Sequence, residues 1–215
     1  MPAPTASVRL PATDSASRKI RSRQDATRSR ILTQSAALFV DRGYENVSVE
    51  QILAAADIAR SSFYRFFANR EEVLAAVIRP VFTDGRAHLD AITARDARGV
   101  LDGIFATYLA LWAASPDALR LSTRTGGVYF DLFRDLHTPF RERITALLHL
   151  AEPGGQLLNN SAEYSARLLA RAAVPVMEVY QRDARFAALF RSTMRGLLLV
   201  PESGTSALQD AEPPV

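Results

Sequence analysis

Four polar residues lie in one short stretch of the chain, at Arg60, Ser61, Ser62 and Tyr64. An arginine can pair with the edge of a guanine, and hydroxyl groups can bind bases or phosphate oxygens. Ser48 and Arg70 flank this stretch, and we expect them, with Tyr64, to bind phosphates. These residue types support recognition of double-stranded DNA, provided that the surrounding helices place them on one surface.

The spacing of apolar residues predicts the helices around this stretch. Apolar residues recur every three or four positions from Ile31 onward, which predicts a helix with one buried stripe that ends near Arg42. The hydroxyl of Ser48 can cap a second helix. Asp57 tolerates a left-handed backbone better than most residues, and we expect it to form the tight turn that follows.

A third helix is predicted over residues 60–67 with its polar residues exposed. Phe63 and Phe67 are four residues apart and should anchor one side, which leaves the polar residues free to face a groove. Asn69 is expected to cap a fourth helix. A short helix, a tight turn and a helix with an exposed polar face are the layout of a DNA-binding helix-turn-helix.

The same segment resembles the DNA-binding domain of the TetR (tetracycline-repressor-like) family. The family pattern has the form T-x-x-x-I-A-x-x-A-G-V-S-x-x-T-x-Y-x-Y-F-x-x-K-E-x-L. Its matches in this chain, identical or similar, are Ser48, Ile52, Ala56, Ile58, Ser62, Tyr64, Phe67, Arg70 and Glu71, with Phe66 in place of the second tyrosine and Leu74 one residue after the final leucine position. The chain departs from the pattern at Leu53, Asp57, Ala59 and Phe66. Ala59 replaces a capping serine, which should cost the helix about 1 kcal/mol unless another contact compensates.

The resemblance implies an all-α fold with an N-terminal three-helix helix-turn-helix DNA-binding domain and a larger helical domain for ligand binding and dimerisation. We place the DNA-binding domain at 23–68 and the helical domain at 69–200. The implied function is that of a homodimeric repressor, released from a near-palindromic operator by a small, largely apolar effector. Two alternatives stay open: an activator, and a ligand- or partner-binding protein that kept the scaffold without specific DNA binding.

The charge distribution and the absence of long apolar runs favour a cytoplasmic DNA-binding protein. Residues 1–70 carry eleven basic and six acidic side chains, whereas residues 71–215 carry fifteen and seventeen. The positive end is therefore the end with the predicted reading helix, and DNA affinity comes largely from neutralised phosphates. No apolar run approaches the roughly 20 residues of a membrane helix, and the N-terminus lacks the apolar stretch of a signal peptide.

Both ends of the chain are expected to be disordered. Residues 1–22 are rich in Pro, Ala, Ser and Thr and cannot bury a core. The basic residues in and just after this segment are Arg18, Lys19, Arg21 and Arg23. They could form an arm that reaches phosphates or a narrow minor groove, or they could belong to an inert tail. Residues 201–215 are expected to form a frayed tail.

The region between the DNA-binding domain and the tail is predicted to be helical near 70–92 with a bend at Pro80, 97–114, 117–123, 127–151 with a break near Pro139, 161–182 and 184–199. By the resemblance, the last two helices form the dimer interface through Leu168, Ala172, Val176, Phe186, Phe190, Met194 and Leu197. The preceding helices would surround a ligand pocket lined by Phe105, Tyr108, Trp112, Tyr129, Phe133 and His137. Plain core packing is the alternative for each of these aromatic residues.

Catalytic and metal sites are not expected. The chain has no cysteine, and its three histidines, His88, His137 and His149, lack the spacing of metal ligands. There is no phosphate-binding glycine-rich loop and no nucleophile elbow after a predicted strand. We therefore expect neither an enzyme nor a bound cofactor.

Overall fold

The computed structural model describes residues 13–124 and 130–201, and these ranges are mostly helical. The α-helices are α1 Thr13–Arg42, α2 Val49–Ala56, α3 Arg60–Tyr64, α4 Arg70–Asp90, α5 Ala97–Ala114, α6 Pro116–Arg124, α7 Phe130–Ala151, α8 Ala162–Tyr180 and α9 Phe186–Leu198. Short 3-10 helices lie at Tyr44–Asn46 and Glu152–Gly154. An isolated antiparallel bridge joins Leu157 to Leu199. The predicted all-α class is confirmed.

The chain forms two compact units, Met1–Val77 and Ile78–Val215. Helix α4 begins in the first unit and ends in the second. The helices predicted at 70–92, 97–114, 117–123, 161–182 and 184–199 are present as α4, α5, α6, α8 and α9, with bounds that differ by a few residues at most. Among the helices described, none combines the length and apolar character needed to cross a membrane.

The N-terminal segment differs from the expectation of disorder. Helix α1 begins at Thr13, so residues 13–22 are helical. Residues 13–42 contain neither proline nor glycine, and a helix whose later turns are buried can extend through exposed residues without a new nucleation step. Residues 1–12 and 202–215, which hold the rest of the predicted arm and nearly all of the predicted tail, lie outside the described residues.

Local sequence signals set the turns of the first unit. The Ser48 hydroxyl accepts a hydrogen bond from the Gln51 N–H at 3.2 Å, and the Gln51 side-chain oxygen accepts one from the Ser48 N–H at 2.8 Å. This reciprocal cap starts α2 as predicted. Asp57 ends α2 in the left-handed conformation with φ 49° and ψ 60°, which confirms the predicted turn. The Asn69 side chain accepts from the Glu72 N–H at 2.9 Å and so caps α4.

The second unit is built around α5. This helix packs against α6, α7 and α9, and its side chains Val100, Leu101, Ile104 and Phe105 are completely buried. The break predicted near Pro139 was wrong, because α7 is a continuous helix from Phe130 to Ala151. Packing holds the two halves of α7 in line despite the proline: Arg86 donates a hydrogen bond to the Pro139 carbonyl at 3.0 Å.

Gly85 allows α7 to lie close to the backbone of α4. A Cβ atom at Gly85 would lie 2.6 Å from Cε2 of Phe140 and 3.1 Å from Cδ1 of Leu111. Real side chains do not approach so closely, so a larger residue here must displace the Phe140 ring. The position of that ring therefore depends on a residue without a side chain.

Replacing Gly85 with alanine is expected to destabilise the protein by about 1–3 kcal/mol, because the buried Phe140 ring has to move. The matched control is Gly196→Ala in α9, where nothing lies within 4 Å of the added Cβ and a gain of roughly 0.5–1 kcal/mol is expected from the lower entropy of the unfolded chain. Denaturant unfolding followed by circular dichroism measures both. Equal effects of the two substitutions would contradict the close approach.

Candidate functional site

The polar residues of α3 lie on an exposed surface over a buried aromatic anchor. Phe63 is completely buried and Phe67 nearly so, which matches the predicted anchoring face. Arg60, Ser61 and Tyr64 are exposed, while Ser62 is half-buried. The predicted extent of this helix was wrong: α3 ends at Tyr64. Beyond it the Phe66 and Phe67 N–H groups both donate to the Phe63 carbonyl, at 2.8 and 3.0 Å, so the chain tightens into a turn.

The side chain of Arg60 is held by a carboxylate from another helix. A nitrogen of its guanidinium donates to Oε1 of Glu50, which lies in the first turn of α2. The pKa of Glu50 is lowered, first by a hydrogen bond from its own backbone N–H and further by Arg60. Because one guanidinium edge is occupied by Glu50, the remaining N–H groups have a defined direction. Sequence reasoning missed Glu50, since its partner is ten residues away.

Arg70 has a structural role that the sequence did not indicate. Its Nη1 donates to three backbone carbonyls, those of Tyr44 at 3.2 Å, Glu45 at 3.1 Å and Val47 at 2.8 Å. Its guanidinium carbon also lies 4.6 Å from the centre of the Tyr44 ring. The side chain thus supplies hydrogen-bond donors to the backbone carbonyls of the loop between α1 and α2. These bonds occupy Nη1 and leave the N–H groups of Nη2 and Nε out of the loop contact, so the expected phosphate contact of Arg70 stays a prediction beside this structural role.

The second unit contains a cavity of about 210 Å³. Its lining residues come from α4 to α8 and are Val81, Phe82, Tyr108, Leu119, Ser122, Thr123, Phe133, His137, Phe140, Arg141, Ile144, Ala166 and Ala170. Phe82 is central to the aromatic part of the wall. Its ring centre lies 6.5 Å from that of Phe133, 5.6 Å from that of His137 and 5.8 Å from that of Phe140.

Three of the six residues predicted to line a pocket surround this cavity, namely Tyr108, Phe133 and His137. Phe105 does not line it, because its ring packs on Phe190 at 5.9 Å in the core between α5 and α9. Trp112 also lies elsewhere, between Phe186 at 5.9 Å and the guanidinium of Arg120 at 4.5 Å. Tyr129 lies outside the described residues.

Burial tunes the protonation of the polar groups in the cavity wall. It raises the pKa of Tyr108 to about 12, so the hydroxyl keeps its proton at neutral pH. Burial also lowers the pKa of His137, and the positive charge of Arg141 lowers it further, which favours a neutral imidazole. Arg141 was not predicted, although its position four residues after His137 on α7 would place it on the same face.

The residues predicted for the dimer interface divide into two groups. Phe190 and Met194 are completely buried within the unit. For these two the prediction was wrong, because α9 turns this stripe towards α5 and α8. The other five have exposed surface to different degrees: Leu168, Ala172, Val176 and Phe186 are half-buried and Leu197 is exposed. The face of α8 that carries some of them also bears Tyr164 and Val179, which are 61% and 76% exposed.

One histidine joins a carboxylate three residues away, on Glu152, to a more distant one on Glu163. His149 Nδ1 lies 2.8 Å from Glu152 and its Nε2 lies 2.9 Å from Glu163. The bond to Glu152, and then the Glu163 charge, raise the pKa of His149. Both ring nitrogens are used in these contacts, so the geometry is that of an exposed ion-pair cluster. It joins the end of α7 to the start of α8.

The role of Arg70 leads to an expected outcome for Arg70→Ala. Removal of the guanidinium leaves three carbonyls without this donor, and we expect a loss of about 1–3 kcal/mol in the free energy of unfolding of the first unit. Arg79→Ala, at an exposed position of the same helix, is the control and should have little effect. If stability stays unchanged while the salt dependence of DNA binding falls by about one charge, Arg70 is a phosphate contact after all.

Comparisons with known proteins agree with this geometry. Residues 31–77 match the family described as bacterial regulatory proteins, tetR family. The chain is 35% identical over 71 residues to the HTH-type transcriptional regulator TcmR of Streptomyces glaucescens. This match covers 33% of the chain and only 30% of TcmR.

Two solved structures share the fold over most of the chain. The first, a bacterial regulatory protein in the tetR family from Rhodococcus RHA1, has a TM-score of 0.65 and 16% identity, covering 82% of this chain and 98% of its own. The second, the ketosteroid transcriptional regulator KstR2 of Mycobacterium tuberculosis, has a TM-score of 0.67 and 16% identity, covering 81% and 95%. Residues 31–77 therefore match the tetR family in sequence, and the chain shares its helical fold with these two structures.

Proposed function

We propose that this protein is a homodimeric transcriptional regulator of the TetR family. The dimer represses transcription in the cytoplasm by binding a near-palindromic operator. It leaves that operator when a small molecule binds the cavity of the second unit. The observation that carries the DNA-binding part is the exposed polar surface of α3, with its guanidinium held at a defined position. The division into a DNA-binding domain at 23–68 and a ligand-binding and dimerisation domain at 69–200 belongs to the same proposal.

The contacts with DNA can be assigned by residue type and exposure. Arg60 is the candidate for pairing with a guanine in the major groove, because its side chain is 60% exposed and its direction is set by Glu50. Ser61 and Ser62 would contact bases or the DNA backbone. Ser48 and Tyr64 would bind phosphates, since both are exposed and carry hydroxyl groups.

The start of α1 offers a second region of positive charge. Four basic residues are exposed on α1, namely Arg18, Lys19, Arg21 and Arg23. An arm of this kind can approach phosphates next to the site that is read in the major groove. We retain the DNA-binding arm as a proposal, now with helical rather than disordered geometry over residues 13–22.

Dimerisation is argued from the apolar surface of α8. Four residues of α8 recur at intervals of four or seven positions and therefore share one face of the helix: Tyr164, Leu168, Ala172 and Val179. Val179 and Tyr164 expose most of their side-chain surface in the single chain, and exposed apolar patches of this kind mark interaction sites. A two-fold dimer also supplies the two reading helices that a palindromic site needs.

Release by ligand requires that the effector prefers one arrangement of the protein. A tenfold loss of operator occupancy needs about 1.4 kcal/mol of coupling between the two sites. Helix α4 is the proposed route, because it belongs to both units and its residues Val81 and Phe82 line the cavity. A ligand that shifts this part of α4 can change the population of the DNA-binding state.

Selection from random duplexes, followed by fluorescence anisotropy at near-physiological salt, tests the DNA contacts. We expect the selected site to be bound at least about a thousandfold more tightly than a scrambled duplex. Arg60→Ala should cost about 1–3 kcal/mol at the selected site and relax the preference for one base pair. Glu50→Ala should relax the preference at that same base pair, because Arg60 loses the acceptor that holds its side chain.

Arg65→Ala is the control for these two variants, since it removes the same charge from an exposed position next to the helix and should weaken both duplexes alike. Equal, steeply salt-dependent binding of the unmodified protein to both duplexes would rule out specific recognition by α3.

Sedimentation analysis at micromolar concentration tests the dimer. The expected mass is twice that of the 23.6 kDa chain. Val179→Glu should shift the mass to that of the monomer, because a charge would be buried in the apolar interface. Leu132→Glu is the matched control, as Leu132 is an exposed leucine of α7. A monomeric mass for the unmodified protein would overturn the dimer.

A further inference from the structure

The walls of the cavity in the second unit combine an apolar surface with few polar groups. Most of the lining side chains are apolar or aromatic, and the rings around Phe82 meet at tilted and edge-to-face angles. Such a surface stabilises the apolar body of a ligand by burial and by contacts with ring faces and edges. The polar lining residues are Tyr108, Ser122, Thr123, His137 and Arg141.

The charge of the lining has one sign. Among the lining residues that the structure describes, none is an aspartate or glutamate. The directions in which the pKa values of Tyr108 and His137 are shifted favour the neutral forms of both side chains at pH 7. Arg141 therefore supplies the formal charge of the cavity, and it is positive.

Arg141 differs from other arginines of the second unit in what it contacts. Arg143 pairs with Asp90 at 2.8 Å, and Arg195 pairs with Asp102 at 2.6 Å. Within residues 13–124 and 130–201, no carboxylate is paired with Arg141. A guanidinium beside an apolar cavity, without a protein carboxylate, favours an anionic group on whatever enters.

The two hydroxyl groups that α6 contributes to the cavity wall already donate hydrogen bonds within their own helix. The Ser122 hydroxyl donates to the Leu119 carbonyl at 2.7 Å, and the Thr123 hydroxyl donates to the Arg120 carbonyl at 2.8 Å. Their hydrogens are used within the helix, so hydrogen bonds to an anionic ligand must come from Arg141 and from the hydroxyl of Tyr108 or the imidazole of His137.

The volume sets the size of the ligand. An apolar cavity of about 150 Å³ in another protein holds one benzene ring, whereas drug-sized ligands occupy about 300–1,000 Å³. At about 210 Å³, the cavity has room for one ring and a short side chain.

We propose that this cavity binds a small hydrophobic carboxylate, whose one-ring apolar body lies among the side chains around Phe82 and whose carboxylate pairs with Arg141. This deepens the proposed function, on which it rests, by giving the chemical class of the effector. The class excludes cationic ligands, for which the lining holds no counter-charge.

Isothermal titration of the full chain without DNA tests the proposal with three probes of the same shape, 3-phenylpropanoate, 3-phenylpropanamide and 3-phenylpropylammonium. We expect the carboxylate to bind at least about tenfold more tightly than the amide, because a charge-assisted pair is lost, and the ammonium to bind most weakly. Arg141→Gln should remove the advantage of the carboxylate over the amide. Because Arg141 is exposed, the variant should fold normally.

Arg134→Gln is the matched control, since Arg134 is an exposed arginine of the same helix that does not line the cavity; it should keep the preference for the carboxylate. Equal affinity for carboxylate and amide, an unchanged preference in Arg141→Gln, or no binding of the carboxylate at millimolar concentration would each overturn the inference. A carboxylate-selective chain that recognises no operator would instead overturn the proposed function alone. Operator recognition without carboxylate selectivity would overturn this inference alone.

Discussion

The binding of the Arg70 guanidinium to the loop between α1 and α2 is the interaction on which the first unit depends. One side-chain nitrogen satisfies the carbonyls of Tyr44, Glu45 and Val47, which lie between the end of one helix and the start of the next. Backbone groups in such a loop need partners, because an unpaired carbonyl shielded from water costs free energy. The same side chain begins α4, so one contact ties the loop before α2 to the helix that follows the reading helix. The exposed polar surface of α3 can then be small and still keep a fixed position.

This constraint explains how a reading helix of five residues keeps its shape. So short a helix is not stable by itself, and Ala59 provides no side-chain cap at its start. Its stability comes instead from the burial of Phe63 and Phe67 and from the bond between Arg60 and Glu50. The exposed polar residues of α3 are therefore held by contacts within the protein. Packing also positions a residue of the cavity in the second unit, where the close approach of α7 to Gly85 places Phe140 in the cavity wall.

The second unit uses its charged residues in two ways. Several of its arginines bind carboxylates of other helices, as Arg120 does with Glu178 and Arg143 does with Asp90, and these pairs link helices of the bundle. Arg141 lies beside the cavity without such a carboxylate among the residues described, and the nearby tyrosine and histidine favour their neutral forms. A cavity with apolar walls and one cation discriminates by charge as well as by shape. In the proposed regulator, that combination would separate an anionic effector from neutral molecules of the same size.

The sequence alone determined the features that depend on neighbours within a few residues. The cap at Ser48, the left-handed turn at Asp57 and the positions of most helices follow from side chains and periodicity that are local in the chain, and each is present as predicted. Only the tertiary structure decided which surfaces these helices bury. Arg70 finds carbonyls more than twenty residues away, Phe190 turns into the core although its helix has more than one apolar side, and Arg141 reaches a cavity that exists only when several helices meet. Periodicity indicates which face of a helix is apolar and which is polar. The segment that packs against that face is decided by contacts between residues far apart in the chain, and no local sequence pattern indicates those contacts.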